Sequence, residues 1–223
     1  MHKRVPSLRW ILLAALPLAR GMAAQSPVTL DHESKHHPVF SNEWTRVLDV
    51  VVPAGDSTLF HVHPNDYVFV TFGDVALKSQ ALGADKADLL LANGEVRLTA
   101  APITHRVLNP STSPFHNLTI ELLKSSGIAL SPTTAGTVVL DSAKVRVERI
   151  VLEPGASTIR HAHPGPGLDV SVSAGTVDIV NDKGPTQHLT FAPASYRWND
   201  AGRIHTIKNV GKTRVEIVEI EWK

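Results

Sequence analysis

The chain has 223 residues, enough for one or two ordinary domains, and its 43% apolar content supports packed cores rather than a disordered chain. Four of its 22 basic side chains, Lys3, Arg4, Arg9 and Arg20, fall in the first 24 residues, which leaves 18 against 21 acidic ones. That balance argues against nucleic acid or an anionic membrane as partner, since either would need a basic face; with no cysteine, disulfides and a lipid-modified cysteine are excluded.

In chain order, "MHKRVPSLR" is basic, "WILLAALPLA" is a short apolar run and "RGMAAQS" supplies small residues. This reads as a signal peptide over residues 1–24, cleaved near Ala23 or Ala24, and it predicts a secreted or periplasmic protein with no membrane partner after cleavage. "DHESKHH", with His32, His36 and His37, reads as a solvated arm near the mature N-terminus. From about Val39 onward the chain is a succession of β-branched and apolar runs, "TRVLDVVV", "DYVFVTF", "VRVERIVL", "DVSVS" and "VEIVEIEW", broken by Gly, Pro, Asn and Asp. Period-2 runs so punctuated predict an all-β sandwich or barrel. "ALGADKADLLLANG" fits a turn, a short helix or a loop running into a strand.

An offset of one hundred pairs Arg46 with Arg146, Gly55 with Gly155, His61 with His161, His63 with His163, His105 with His205, Asn109 with Asn209 and Glu121 with Glu221. So many matches in one register indicate an internal duplication. The join falls in "KSSGIALSPTTAG", residues 124–136, which gives one module over 39–123 and another over 137–223.

Alternate side chains of a strand share a face, so His61 lies beside His63 and His161 beside His163. His105 and His205, each the same distance downstream of its pair, are the natural third ligands of a metal site. Three imidazoles suit iron, zinc, nickel or copper, and an added carboxylate favours manganese or iron(II). The competing reading is a barrel whose histidines are satisfied core residues and bind nothing. Phe60 and Arg160 alternate with the pairs and should point off their face. Asn109 and Asn209 read as strand-end turn residues, and Tyr196, Trp198 and Arg203 as core or surface packing.

The spacing resembles the cupin superfamily. Its first motif is Gly, five residues, HxH, three or four residues, Glu, six residues, Gly; its second is Gly, five residues, Pro, one residue, Gly, two residues, His, three residues, Asn. Gly55, His61, His63 and Gly73 match the first motif, and Gly94, His105 and Asn109 the second, with Ala100 and Pro102 in place of its proline and second glycine. In the second module Gly155, His161, His163 and Gly175 match, then Gly202, His205 and Asn209, with Ala194 and Asp200 at the earlier glycine and proline positions. The resemblance implies two tandem jelly-roll barrels, a bicupin, with a divalent transition metal inside each. Counted back from the closing glycine, the glutamate register holds Asp66 in the first module and Leu168 in the second, while Asp169 should face away from the metal. The resemblance thus implies ligands His61, His63, His105 and Asp66 in one barrel, and His161, His163 and His205 in the other.

Two functions fit. One is a metal-dependent enzyme on a small organic substrate, with dioxygenase-like or related cupin chemistry and Fe(II), Mn, Zn, Ni or Cu as cofactor. The other is a non-catalytic protein that holds a metal or a small ligand such as a sugar or an organic acid. The sequence leaves open whether the chain forms a homo-oligomer.

Overall fold

A computed structural model describes residues 26–223; the leader read in residues 1–24 lies outside the described residues. The alternating runs form four sheets, two in each half of the chain. In the first half one sheet orders Val28–Thr29, His61–His63, Ile103–Leu108, Val75–Ala81 and Ala87–Leu91, and the other orders His36–Ser41, Thr45–Val52, Phe115–Leu122, Tyr67–Phe72 and Val96–Thr99. In the second half Thr137–Asp141, Val145–Leu152, Val215–Trp222, Gly167–Ser171 and Tyr196–Asn199 make one sheet. His161–His163, Arg203–Asn209, Gly175–Asn181 and Gln187–Phe191 make the other. Each half is a jelly-roll barrel, as expected of the all-β pattern. The ambiguous stretch after Ala81 resolves as a turn leading into the strand Ala87–Leu91.

The strands read as nearly continuous apolar runs because many are buried on both faces. In Thr45–Val52, Leu48, Val50 and Val52 point into the first barrel and pack with Leu30, Leu77, Leu91 and Phe115. Val47, on the opposite face, joins Val68, Val70, Leu118, Ile120 and Leu122. The second barrel repeats this, with Ile150, Leu152, Ile207 and Ile217 inside and Val147, Leu168, Val218, Ile220 and Trp222 outside. The two outward faces form one cluster, so the barrels share a core. Each such side chain contributes about 1.5–3 kcal/mol by leaving water.

The offset of one hundred survives in the pairing. Lys78 lies opposite Leu108 and Asp178 opposite Lys208; His61 lies opposite His105 and His161 opposite His205. Asn109 and Asn209 are buried, and each donates its Nδ2 to carbonyls on both sides of a turn: Val52 and Ser113 in one barrel, Leu152 and Thr213 in the other. Gly94 is a close approach between the barrels. Its φ is +71° and an added Cβ would sit 2.9 Å from Val172 Cγ1, so a side chain there would push the interface apart.

Candidate metal centres

The three-residue strands His61–His63 and His161–His163 aim both imidazoles of each pair into their barrels, and the neighbouring strand brings His105 or His205 beside them. Ring centroids of His61, His63 and His105 are 4.9, 4.7 and 5.2 Å apart; those of His161, His163 and His205 are 4.9, 4.5 and 5.1 Å apart. The duplication has therefore preserved a triangle as well as a spacing. His61 Nδ1 donates to the Leu59 carbonyl at 2.9 Å and His161 Nδ1 to the Ile159 carbonyl at 3.0 Å. These bonds fix the tautomer that leaves Nε2 with a lone pair facing the triangle.

The second triangle faces a carboxylate that sequence reasoning missed. Glu219, on the strand Val215–Trp222, is 3% exposed, and both its oxygens are buried without a hydrogen-bond partner. They lie 3.6 Å from His161 Nε2, 3.5 Å from His163 Nε2 and 3.7 Å from His205 Nε2. Metal bonds of about 2.1 Å at tetrahedral or octahedral angles put donors roughly 3.0–3.4 Å apart, close to these spacings and to the 2.9 Å between His161 Nε2 and His205 Nε2. The residues present thus fit a transition metal. Burial pushes the Glu219 carboxyl up, but the imidazoles outweigh it and hold the group well below the usual carboxylate range. Burial likewise pulls His161 down, yet Glu219 prevails and raises it; in His205 burial prevails and lowers it. Behind the site, Glu221 accepts from His163 Nδ1 at 3.2 Å and from the Gly165 N–H at 2.8 Å, turning His163 Nε2 inward.

The first barrel has Thr119 where the second has Glu219, and the Thr119 hydroxyl donates to Asn117 Oδ1. Its added donor is a fourth imidazole. His36 is buried, its ring centroid 4.5 Å from that of His61 and 5.7 Å from that of His63, and with these two it forms a group of converging ligand atoms. The expected solvated arm is thus corrected: His36 Nδ1 donates to Glu33 Oε2 at 2.7 Å, and this pairing offsets the cost of burying both groups. Glu33 also accepts from the Leu59 and Lys35 N–H groups; burial pushes its carboxyl up, but the His36 bond and then these two outweigh it and hold it at about 2. Burial, with the neighbouring imidazoles, lowers His61 to about 4 and His105 to about 3, and lowers His63 further. All three are neutral and ready to act as ligands near pH 7. Glu121, the counterpart of Glu221, is bound at 2.5 Å by Arg46 and leaves His63 Nδ1 without a partner.

The structure does not bring Asp66 to the histidines. Its carboxylate accepts the Ala101 N–H at 2.7 Å and pairs with Lys144 of the other barrel at 2.8 Å. The glycine count misleads because the closing glycines are not equivalent. Gly73 is a turn residue with φ +89°, whereas Gly175 lies in a strand where a Cβ would come 2.4 Å from Val215 Cγ2. In the offset of one hundred Asp66 corresponds to Pro166 and Phe69 to Asp169. Leu168 accordingly packs in the shared core, and Asp169 faces into the second barrel, paired with Arg197 at 3.0 Å. Arg203 also points inward: it lies opposite His163, over Gly167, with its Nη1 3.9 Å from the Asp169 carboxylate and its Nε without a hydrogen bond. Asp66→Asn should leave the metal content of both barrels unchanged and cost about 1 kcal/mol in denaturant unfolding. The Ala101 N–H, then Lys144, lower the Asp66 carboxyl, so its contribution is present above pH 3.8 and lost as pH falls below it.

The first barrel encloses a cavity of about 220 Å³ that opens on His36, His61, His63 and His105. The rest of its wall is mainly apolar, with Phe69 and Phe115 among its residues. A cavity of about 220 Å³ in the second barrel is lined by Asp169 and Arg197 but by none of the histidines.

No protein-family model and no curated protein matches the sequence. Solved structures do match the fold. AerE from Microcystis aeruginosa superposes with a TM-score of 0.61 at 12% identity, over 86% of this chain and 98% of that one. Bacillus subtilis oxalate decarboxylase, a protein described with Mn(II) centres, gives 0.59 at 10% identity over 81% of this chain and 69% of that one. The fold is that of a bicupin. A cupin 2 conserved barrel protein from Leptotrichia buccalis, at 0.52 and 9% identity over 84% of this chain and 88% of that one, is a further structural match. At such identities the likeness concerns the fold, and the chemistry of this chain rests on its own residues.

Proposed function

We propose that this bicupin is an exported, metal-dependent enzyme that holds a divalent transition metal in each barrel and processes a small organic molecule at the histidines of its first. The observation that carries the metal reading is Glu219. A carboxylate buried with no hydrogen bond, among three imidazoles whose nitrogens converge, is costly unless a cation neutralises it. His161, His163, His205 and Glu219 would hold the metal, with Glu221 orienting His163. Such a donor set suits manganese or iron(II) as well as zinc.

The first-barrel cavity supports the catalytic part of the reading. Its mainly apolar wall would take the body of a small ligand, exclude water and place a polar end at the imidazoles. A bound transition metal supplies Lewis-acid polarisation of a ligand oxygen or, if redox-active, a site for dioxygen chemistry. Export is supported by the basic, apolar and small-residue order of the first 24 residues. The second reading, a non-catalytic metal protein, draws support from the second barrel, whose cavity does not reach its histidines.

The test is elemental analysis of natively metallated mature protein, followed by oxygen uptake across diketones, thiols and phenolic acids. Metal in both barrels with turnover that His63→Ala abolishes is the expected result. Full metal occupancy with no turnover of any class would leave the binding-protein reading in its place.

A further inference from the structure

The segment ahead of the first barrel is built into it. Val28–Thr29 pairs in parallel with His61 and Val62, Leu30 is 3% exposed in the barrel core, and the Val28 N–H reaches the Phe60 carbonyl at 2.8 Å. Glu33 reaches the Leu59 N–H, one residue before the histidine strand's flanking Phe60, and Asp31 pairs with Arg46 at 2.8 Å. These contacts lead to His36, held at Nδ1 by Glu33 so that its other nitrogen turns toward His61 and His63. His105 lies outside that close group of three, but its ring centroid is 4.7 Å from that of His61 and 5.2 Å from that of His63, and its Nε2 is buried without a hydrogen-bond partner. The second barrel has no such imidazole, since its residue at the His36 register is Gly136. There a Cβ would lie 2.2 Å from the Arg149 carbonyl oxygen. The barrels have thus exchanged their fourth donor: Glu219 in one, His36 in the other.

We infer that the first barrel is a four-imidazole site, completed by His36 from the segment 26–36, and that it selects copper(II) or zinc over manganese. This deepens the metal reading of the first barrel and rests on it. Four neutral nitrogens bring no charge and no oxygen donor to the ion. Manganese, which favours carboxylate and water, gains least from them, while zinc and especially copper gain most. Metal bound through His36 also fastens the segment, so loading and docking are coupled.

The experiment uses the mature protein carrying His161→Ala, His163→Ala and Glu219→Gln, which removes these second-barrel donors, titrated with Cu(II), Zn(II) and Mn(II) alone. The expected affinity order is copper, then zinc, then manganese. The Cu(II) paramagnetic resonance spectrum should show four nitrogen couplings, and zinc should slow amide exchange over residues 26–36. Adding His36→Ala should weaken zinc binding about 100-fold and leave three nitrogens; Glu33→Gln, which alters the ring's partner and no metal donor, should cost about 10-fold. Unchanged affinity and nitrogen count in the His36→Ala protein would overturn the inference and leave His36 a packed core residue, with a three-histidine metal site intact. Manganese binding as tightly as zinc would overturn the selectivity. No binding of any of the three would instead remove the metal reading of this barrel. Should the His36 variant not fold, amide exchange in the protein with His36 intact decides: slowing by zinc over residues 26–36 supports the inference, and unchanged exchange there overturns it.

Discussion

Replacing Glu219 with Gln will make the metal-free protein more stable and the metal-loaded one less so. In the metal-free protein the Glu219 carboxylate is buried 3.5–3.7 Å from the imidazoles, which keep it ionised, and it favours protonation of His161, so the two form a buried ion pair. A neutral amide leaves His161 neutral, so a buried ion pair gives way to neutral groups, with amide N–H donors facing the imidazole lone pairs. The expected gain is about 1–3 kcal/mol. With metal the sign reverses, because the amide oxygen is a poor ligand beside a carboxylate. Altering an outer partner of a metal ligand already costs 10–100-fold, so loss of the ligand itself should cost about 100-fold or more. Stabilisation by metal grows with the logarithm of its concentration over the dissociation constant, so the variant should forfeit about 2.7 kcal/mol of it. Melting curves in chelator and in excess manganese or zinc read both signs at once. A variant less stable than the parent in chelator, with undiminished metal content, would show Glu219 to be a histidine counter-ion and nothing more.

The histidine triangles were legible in the sequence because two rules met there: strand parity puts both members of an HxH pair on one face, and the offset of one hundred repeats pair and partner together. Glu219 was not legible. Along "VEIVEIEW", Ile217, Glu219 and Glu221 face the barrel while Val218, Ile220 and Trp222 face the shared core. Each face mixes apolar and acidic residues, Val215, Ile217, Glu219 and Glu221 on one and Glu216, Val218, Ile220 and Trp222 on the other, so periodicity could not say which was the interior. A signal did exist: Glu219 shares parity with Ile217 and has Thr119 as its counterpart, which marks a carboxylate specific to one barrel. His36 was hidden by its polar neighbours, since a run such as "DHESKHH" looks solvated until Glu33 and His36 are seen to satisfy each other. Asp66 was misplaced for a geometric reason. A glycine that makes a turn and one that admits a neighbouring valine look the same in a motif, and only the pairing register separates them.

Truncating Trp222 to Ala should cost about 3–5 kcal/mol, the range for large aromatic side chains lost from a packed core. Trp222 is fully buried at the end of the last strand, with its ring 5.3 Å from that of Trp198. It belongs to the cluster that joins Val47, Val68 and Ile120 of the first barrel to Val147, Leu168 and Ile220 of the second. The side chain therefore stabilises two barrels at once, and neither could leave so apolar a face in water without loss. One cooperative unfolding transition is expected for the parent protein, and in the variant it should move down as a whole by about 10 °C, since 1 kcal/mol shifts a chain of this length by roughly 2–4 °C. Trp222→Phe should lose much less, because it keeps most of the ring contact and removes an indole N–H that is buried without an acceptor. Calorimetry of the three proteins separates the alternatives. Two separate transitions, with only one displaced by the Ala variant, would mean that the barrels fold independently and that the shared cluster is contact without cooperativity. A single displaced transition would mean that the two barrels unfold as one unit, held together by the cluster they share.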